Sequence, residues 1–201
     1  VLVFLIIKRD KTMKVIKRNG TPANVRFDKI TDRIGEFCYE LDTSIDPVTI
    51  TKDIINRIRD GITTSELDNL TAEICAVKIM DHPDYGKLAS RLIIDDHHKN
   101  ISHKYKSFKE VVNALYNNVN QLGKRAPAIS EQLYNIVNTH HEQINNIIKP
   151  SRDFLFDYFG FKTLLRSYLL KINGVTVETP QYMWMRVALG IHGDDFEAVK
   201  E

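Results

Sequence analysis

Lys14-Val15-Ile16-Lys17-Arg18-Asn19-Gly20, followed by Asn24-Val25-Arg26-Phe27, is the stretch that decides how this chain begins to fold. Apolar and polar side chains alternate on both sides of Asn19-Gly20, and that dipeptide tolerates the positive φ angles of a tight turn. The pattern predicts a β-hairpin over residues 14–27. Directly after it, Asp28 is placed to cap a helix carrying Ile30, Ile34, Phe37, Cys38 and Leu41 on one face.

Working outward, Asp46-Pro47 supplies an N-cap and a proline at the first helical position, and Gly61 is read as the stop of that helix. Thr63 and Glu66 have capping-box spacing and open a helix expected to turn Leu67, Leu70, Ile74 and Val77 inward. His82-Pro83 breaks it. A fourth helix follows, with Tyr85, Leu88 and Leu92 inward, running to about Lys104. Residues 13–104 are therefore expected to form one compact module, a β-hairpin over four helices.

Residues 105–201 continue as helices. Phe108, Val111, Leu115 and Val119 mark one face, and Gln121–Ala128 reads as a loop. Ser130 can cap a helix with Leu133, Ile136 and Val137 inward, and Ile144 and Ile147 lie further along. An aromatic-rich segment holds Phe154, Phe156, Tyr158, Phe159, Phe161 and Tyr168. Lys171 to Val177 forms a second tight hairpin around Asn173-Gly174, before a helix with Met183, Met185, Val187 and Leu189. The fold class is α+β, mainly α.

The chain has 201 residues, 43% of them hydrophobic and 27% charged, with a formal net charge of +2. A sequence pI near 8.4 falls short of the basic domains, above about 9, that mark nucleic-acid surfaces. No nucleic-acid partner is expected. Val1 to Ile7 is apolar but far shorter than the roughly 20 residues that span a bilayer, and no membrane association is expected. Residues 1–12 are read as an upstream extension and the chain as a fragment, because Asp194 to Glu201 starts a helical pattern and stops. Two cysteines, Cys38 and Cys75, without metal-ligand spacing, fit a reducing compartment, hence the cytoplasm.

A phosphate site needs cations and backbone N–H groups converging at a turn or helix start. Lys17, Arg18, Arg26 and Lys29 offer such cations, and Lys99 on the fourth helix could add one. Strand alternation places Lys17 and Arg18 on opposite faces. The sequence has neither a Walker P-loop nor a GxGxxG string, so on the residues alone a solvated basic surface competes with a phosphate site. His97-His98 and His140-His141 are adjacent pairs pointing about 100° apart on a helix, which does not chelate a metal. Cys38 and Cys75 read as packed structural thiols, and Asp95-Asp96 as a solvated helix face. The residues contain no nucleophile–base pair.

Val15 to Gly20, Val25 to Ile30 and Thr63-Thr64-Ser65-Glu66-Leu67-Asp68, in that order, resemble the ATP-cone, the allosteric module of ribonucleotide reductases. Asp157-Tyr158-Phe159-Gly160-Phe161-Lys162-Thr163-Leu164 and Arg166 to Gly174 are similar to the segment leading into the catalytic barrel of the class I large subunit, eukaryotic and large-DNA-virus type. Glu178 to Met183 and Met185-Arg186-Val187 extend the likeness, which departs at Thr179, where the family carries Arg. The resemblance implies that Lys17 and Arg18, then Ala23, Asn24, Val25, Arg26, Phe27, Asp28 and Lys29, then Thr64, Asp68 and Lys99, bind ATP or dATP. Thr64 and Asp68 stand four apart and share a helical face.

The resemblance further implies a ribonucleoside-diphosphate reductase activated by ATP and inhibited by dATP, with Mg2+ accompanying the nucleotide and no metal held by the chain itself. It implies homo-oligomers, a radical-generating small subunit holding a di-iron centre, and thioredoxin or glutaredoxin as reductant. The catalytic cysteines would lie beyond Glu201, so the fragment itself is expected to be inactive. The alternatives are a stand-alone nucleotide-sensing module, which in its zinc-ribbon form needs CxxC motifs this chain lacks, and a helical interaction protein that has lost its ligand.

Overall fold

The computed structural model describes residues 13–201; the extension expected at 1–12 lies outside the described residues. The described elements are β1 (Lys14–Ile16), β2 (Pro22–Asn24), α1 (Phe27–Gly35), α2 (Pro47–Ile55), β3 (Ile62–Thr63), α3 (Thr64–Val77), a 3-10 turn (Lys78–Met80), α4 (Asp84–Lys104), α5 (Phe108–Tyr116), α6 (Glu131–Thr139), α7 (His141–Ile147), a 3-10 segment (Pro150–Leu155), α8 (Tyr158–Ser167), β4 (Lys171–Ile172), β5 (Val175–Thr176), α9 (Pro180–His192) and α10 (Phe196–Lys200). The fold is α+β and mainly α, as the sequence predicts. The chain forms two compact units, dividing between Asp96 and His97, so that α4 contributes residues to both.

In the first unit, the hairpin forms around Asn19-Gly20 but not as a two-residue turn. Lys14 pairs with Asn24, Val15 with Ala23 and Ile16 with Pro22. Gly20 N–H donates to the Lys17 carbonyl at 2.8 Å and Lys17 N–H to the Thr21 carbonyl at 2.9 Å, which leaves Arg18-Asn19-Gly20 as a three-residue loop. Gly20 takes φ 79, the left-handed residue this longer loop requires. Asn19 Oδ1 accepts the Thr21 N–H at 3.1 Å and satisfies the loop from within. The return strand is thus Pro22–Asn24, and Phe27 opens α1 instead of closing the hairpin.

β1 also pairs in parallel with β3, Val15 opposite Ile62 and Ile16 opposite Thr63, giving the order β2-β1-β3. Pattern reading did not anticipate β3, since two residues carry no periodicity. Asp28 does not cap α1. Arg26 holds the cap position without a side-chain bond, and Asp28 lies in the first turn, where a carboxylate favours the helix dipole. The helix ends at Gly35 through tightened bonds, Phe37 N–H to the Ile34 carbonyl at 3.0 Å and Cys38 N–H to the Gly35 carbonyl at 3.0 Å. Ile30 and Ile34 are buried, while Phe37, Cys38 and Leu41 are half-buried beyond the helix.

Asp46 caps α2 as expected, accepting from the N–H groups of Val48 and Thr49, each at 3.0 Å. The helix stops at Ile55 and not at Gly61. Gly61, at φ 78, instead turns the chain into β3 and donates its N–H to the Lys14 carbonyl at 2.8 Å. The Thr63–Glu66 capping box on α3 is present in full. Its inward face differs from the expected one: Asp68, Thr71, Ala72, Ile74 and Cys75 are buried, Leu67 and Leu70 half-buried, and Val77 is 74% exposed. The buried face runs through Asp68, Thr71, Ala72 and Cys75, one residue along from the expected stripe, and Asp68 on it lies near the guanidiniums of Arg18 and Arg33. α1 packs on α2, α2 on α3, and α3 on β3.

The second unit has its own core. Phe108 and Val112 of α5, Leu133 and Val137 of α6, Ile144 of α7, Met185 and Leu189 of α9, and Phe196 and Val199 of α10 form one buried cluster. Each such side chain contributes roughly 1.5–3 kcal/mol by leaving water. Val119 lies past the end of α5 and is exposed, as is Val187 on α9, so neither joins the core. Ser130 caps α6 by accepting the Leu133 N–H at 3.2 Å, and Asp157 caps α8 by accepting the Gly160 N–H at 2.6 Å. Thr179 caps α9 by accepting the Tyr182 N–H at 3.2 Å, a local use for the residue that departs from the family pattern. β4 and β5 form the second hairpin around Asn173 at φ 50 and Gly174 at φ 80.

Candidate functional site

The Arg18-Asn19-Gly20 loop brings Arg18 against α3. Its Nη2 lies 3.5 Å from Asp68 Oδ2 and forms an ion pair with Asp96 of α4. Arg33 of α1 reaches the same group from the other side: its Nη2 is 3.4 Å from Asp68 Oδ2 and pairs with Asp95. Asp96 Oδ2 accepts from Ser65 Oγ at 2.8 Å and Asn69 Nδ2 at 3.1 Å. Two guanidiniums thus interleave with three carboxylates between the loop, α1, α3 and α4.

Burial sets the electrostatics of this cluster. It works against the Arg33 charge, but Asp68 and Asp95 more than offset it and hold the guanidinium above its ordinary value. For Asp96, burial pushes the carboxyl up, as does the neighbouring Asp68 carboxylate, against hydrogen bonding from Ser65 and the charge of Arg18. Arg33 also lies over the Phe37 ring, 4.6 Å from its centre, in cation–π contact.

Of the residues singled out in the sequence, the structure brings Arg18 and Asp68 together. Thr64, the first residue of α3, is half-buried one turn before Asp68. Lys17 is exposed beside Arg18. Ala23 and Val25 are half-buried, and Asn24, Phe27 and Lys29 are exposed. Arg26 is exposed and its Nε donates to Asp28 Oδ1 at 3.2 Å, a bond that holds the Asp28 carboxyl below its ordinary range. Lys99 is exposed on α4, among the residues of the second unit.

Asp95-Asp96 is not a solvated face. Asp96 is 3% exposed and Asp95 is paired with Arg33. The signal was available: Asp96 stands four and eight residues after the inward Leu92 and Leu88, which places it on their face of the helix. Arg33, Ser65 and Asn69 are likewise part of the cluster and were not singled out. A buried arginine cannot be told from a surface one until its carboxylate partners, here on α3 and α4, are known.

The remaining candidates separate cleanly. His97 is buried, its Nε2 2.8 Å from the Glu178 carbonyl and its ring edge-on to Phe161; burial lowers its pKa to about 4, so it is neutral at ordinary pH. His98 Nε2 lies 2.7 Å from Asp153 Oδ2. Among the described residues no group of three or more His, Cys, Asp or Glu side chains could hold a metal ion. Cys75 is fully buried and its thiol is pushed up to about 12; Cys38 is half-buried and also raised by burial. Among the described residues no helix is long and apolar enough to cross a membrane.

Two stretches of the chain match known protein families. Residues 13–100 match the ATP cone domain, and residues 154–201 match the all-alpha domain of ribonucleotide reductase. The chain is 50% identical over 189 residues to the ribonucleoside-diphosphate reductase large chain 2 of Saccharomyces cerevisiae, covering 93% of this chain and 21% of that protein. It is 50% identical over 191 residues to the large subunit of Variola virus, covering 94% and 24%. To the large chain of Schizosaccharomyces pombe it is 48% identical over 191 residues, covering 94% and 23%. The chain therefore spans between a fifth and a quarter of the length of these relatives. With its ATP cone and its all-alpha segment in that order, the chain belongs to the large-subunit family of ribonucleotide reductases.

Proposed function

We propose that residues 13–104 bind ATP or dATP and set the activity of a ribonucleoside-diphosphate reductase whose helical approach to the barrel is residues 105–201. The observation that carries this reading is the placement of Arg18, at the hairpin loop, 3.5 Å from Asp68 on α3 within the ATP-cone match. The residue types suit a nucleotide. Lys17, Arg18, Arg26 and Lys29 can meet phosphate oxygens as cations, and Lys99 can add to them; Thr64 can donate or accept, and a carboxylate such as Asp68 can accept from a sugar hydroxyl. Ala23, Asn24, Val25, Phe27 and Asp28 form the strand end and helix start that would line it. Mg2+ would accompany the triphosphate and spread its charge.

ATP and dATP differ by one hydroxyl, so a switch between them must come from different affinities for two assemblies of the large subunit; equal affinity would shift nothing. The whole enzyme would reduce ribonucleoside diphosphates in the cytoplasm, with a di-iron small subunit starting the radical and thioredoxin or glutaredoxin restoring the dithiol. Cys38 and Cys75 take no part, since burial keeps both as thiols.

Isothermal titration of this chain with ATP and with dATP, with light scattering to follow assembly, tests the reading. Binding of both in the micromolar range, lost in Asp68→Asn, is expected. A folded protein that binds neither overturns it.

A further inference from the structure

Asp96 serves both halves of the candidate site. Its Oδ1 takes the Arg18 guanidinium from the β1–β2 loop, and its Oδ2 takes Ser65 and Asn69 from α3. Ser65 and Asn69 each follow one of the proposed nucleotide contacts, Thr64 and Asp68, and one step along a helix turns a side chain by about 100°. One edge of α3 thus carries Thr64 and Asp68, while the adjacent edge is tied to Asp96.

We propose that Asp96 is the positioning residue of the nucleotide site, fixing the Arg18 guanidinium relative to the start of α3 and acting through Arg18 without itself touching the nucleotide. The inference rests on the reading that this site takes ATP or dATP. Two physical effects compete here. A carboxylate near a polyphosphate repels it, so neutralising Asp96 would by itself tighten binding. Against that, an arginine that loses its nearer carboxylate and keeps the 3.5 Å approach to Asp68 must surrender more rotational freedom when the ligand arrives, and preorganisation removes that cost. Asp96 is almost fully buried and its charge is met directly by Arg18, so the field it presents to a ligand is small and the ordering effect dominates.

The test is a double-mutant cycle on ATP affinity, measured by titration calorimetry on the whole chain. Asp96→Asn is expected to weaken ATP binding roughly tenfold, the scale of one charge-assisted hydrogen bond. In an Arg18→Gln background the same substitution is expected to change affinity by less than about twofold, because the side chain through which it acts is gone. Losses that multiply would make Asp96 a residue that merely holds α3 and α4 together, independently of Arg18, and tightened binding would make it a repulsive charge; either result overturns the proposal. Should Asp96→Asn not fold, Asp96→Glu keeps the charge while displacing the guanidinium, and its loss of affinity must likewise vanish in the Arg18→Gln background. Parent protein that takes up no ATP removes the nucleotide reading itself, a result distinct from an additive cycle.

Discussion

Glu178, with no side-chain exposure, accepts from Arg186 Nε on Oε1 at 2.6 Å and from Arg186 Nη2 on Oε2 at 3.1 Å, while the Leu170 N–H donates to Oε2 at 2.9 Å. The pair ties the middle of α9 to a residue between β5 and that helix, and Leu170, just ahead of β4, is bonded to the same carboxylate. Removing one member of a buried pair costs about 3–5 kcal/mol, because the other is left charged and dry. The two members are unequal: Arg186 keeps 21% side-chain exposure and can turn to water, whereas Glu178 cannot. Arg186→Leu is therefore expected to destabilise the second unit more than Glu178→Gln. Urea unfolding of both variants checks the order, and equal losses would contradict it.

His97 makes stability depend on pH. Its folded pKa of about 4 lies below the ordinary 6.5, since burial opposes the charged ring. Between those values the unfolded chain binds more protons, so stability rises with pH; His97's contribution is complete above about 6.5 and is lost as pH falls toward 4. The raised Asp96 and Asp153 carboxyls act in the opposite sense. A comparison with His97→Gln isolates the histidine: the parent is expected to lose roughly 3 kcal/mol more than the variant across that window. Parallel stability curves would refute the assignment.

The thiols should be inert in the folded protein. With Cys75 raised to about 12 and fully buried, its thiolate is scarce at neutral pH, and Cys38 is raised in the same direction. Iodoacetamide at pH 7.5, read by mass spectrometry, is expected to leave Cys75 unmodified in native protein and to label both residues in denaturant. Rapid native labelling of Cys75 would contradict the burial.

Gly20 gives a torsional test. A Cβ there meets nothing within 4 Å, so Gly20→Ala has no steric cost beyond its φ of 79. The left-handed conformation alone is expected to cost about 1–2 kcal/mol in thermal or chemical unfolding. An unchanged stability would mean that the loop relaxes to another turn.

Local chemistry made much of this fold legible. Asn19-Gly20 and Asn173-Gly174 marked both hairpins, Asp46-Pro47 and Thr63–Glu66 marked helix starts, and His82-Pro83 marked a break, because each acts through neighbours in sequence. What escaped depends on partners far along the chain. β3 exists only because β1 lies beside it. Asp95-Asp96 looks solvated until Arg18 and Arg33 are brought to it from before α1 and from within it. Val77 fitted the helical period yet points outward, since the buried side of α3 runs through Asp68, Thr71, Ala72 and Cys75, one residue along from the face that Leu67 and Leu70 suggested. Family resemblance supplied the candidate nucleotide contacts; the ion pairs behind them became visible only in three dimensions.

The parallel pairing of β1 with β3 also sets an order of assembly. The β1–β2 hairpin closes over three residues, but a two-stranded ribbon alone is marginal in water. Its third strand arrives only after α1 and α2 have been made, because Val15 must meet Ile62. Arg18 then still lacks Asp68 and Asp96, which follow on α3 and α4. Loop closure makes such distant pairings slower to form than local ones. On a growing chain the loop written first is therefore fastened last, and the candidate nucleotide site matures only once synthesis has passed the middle of α4.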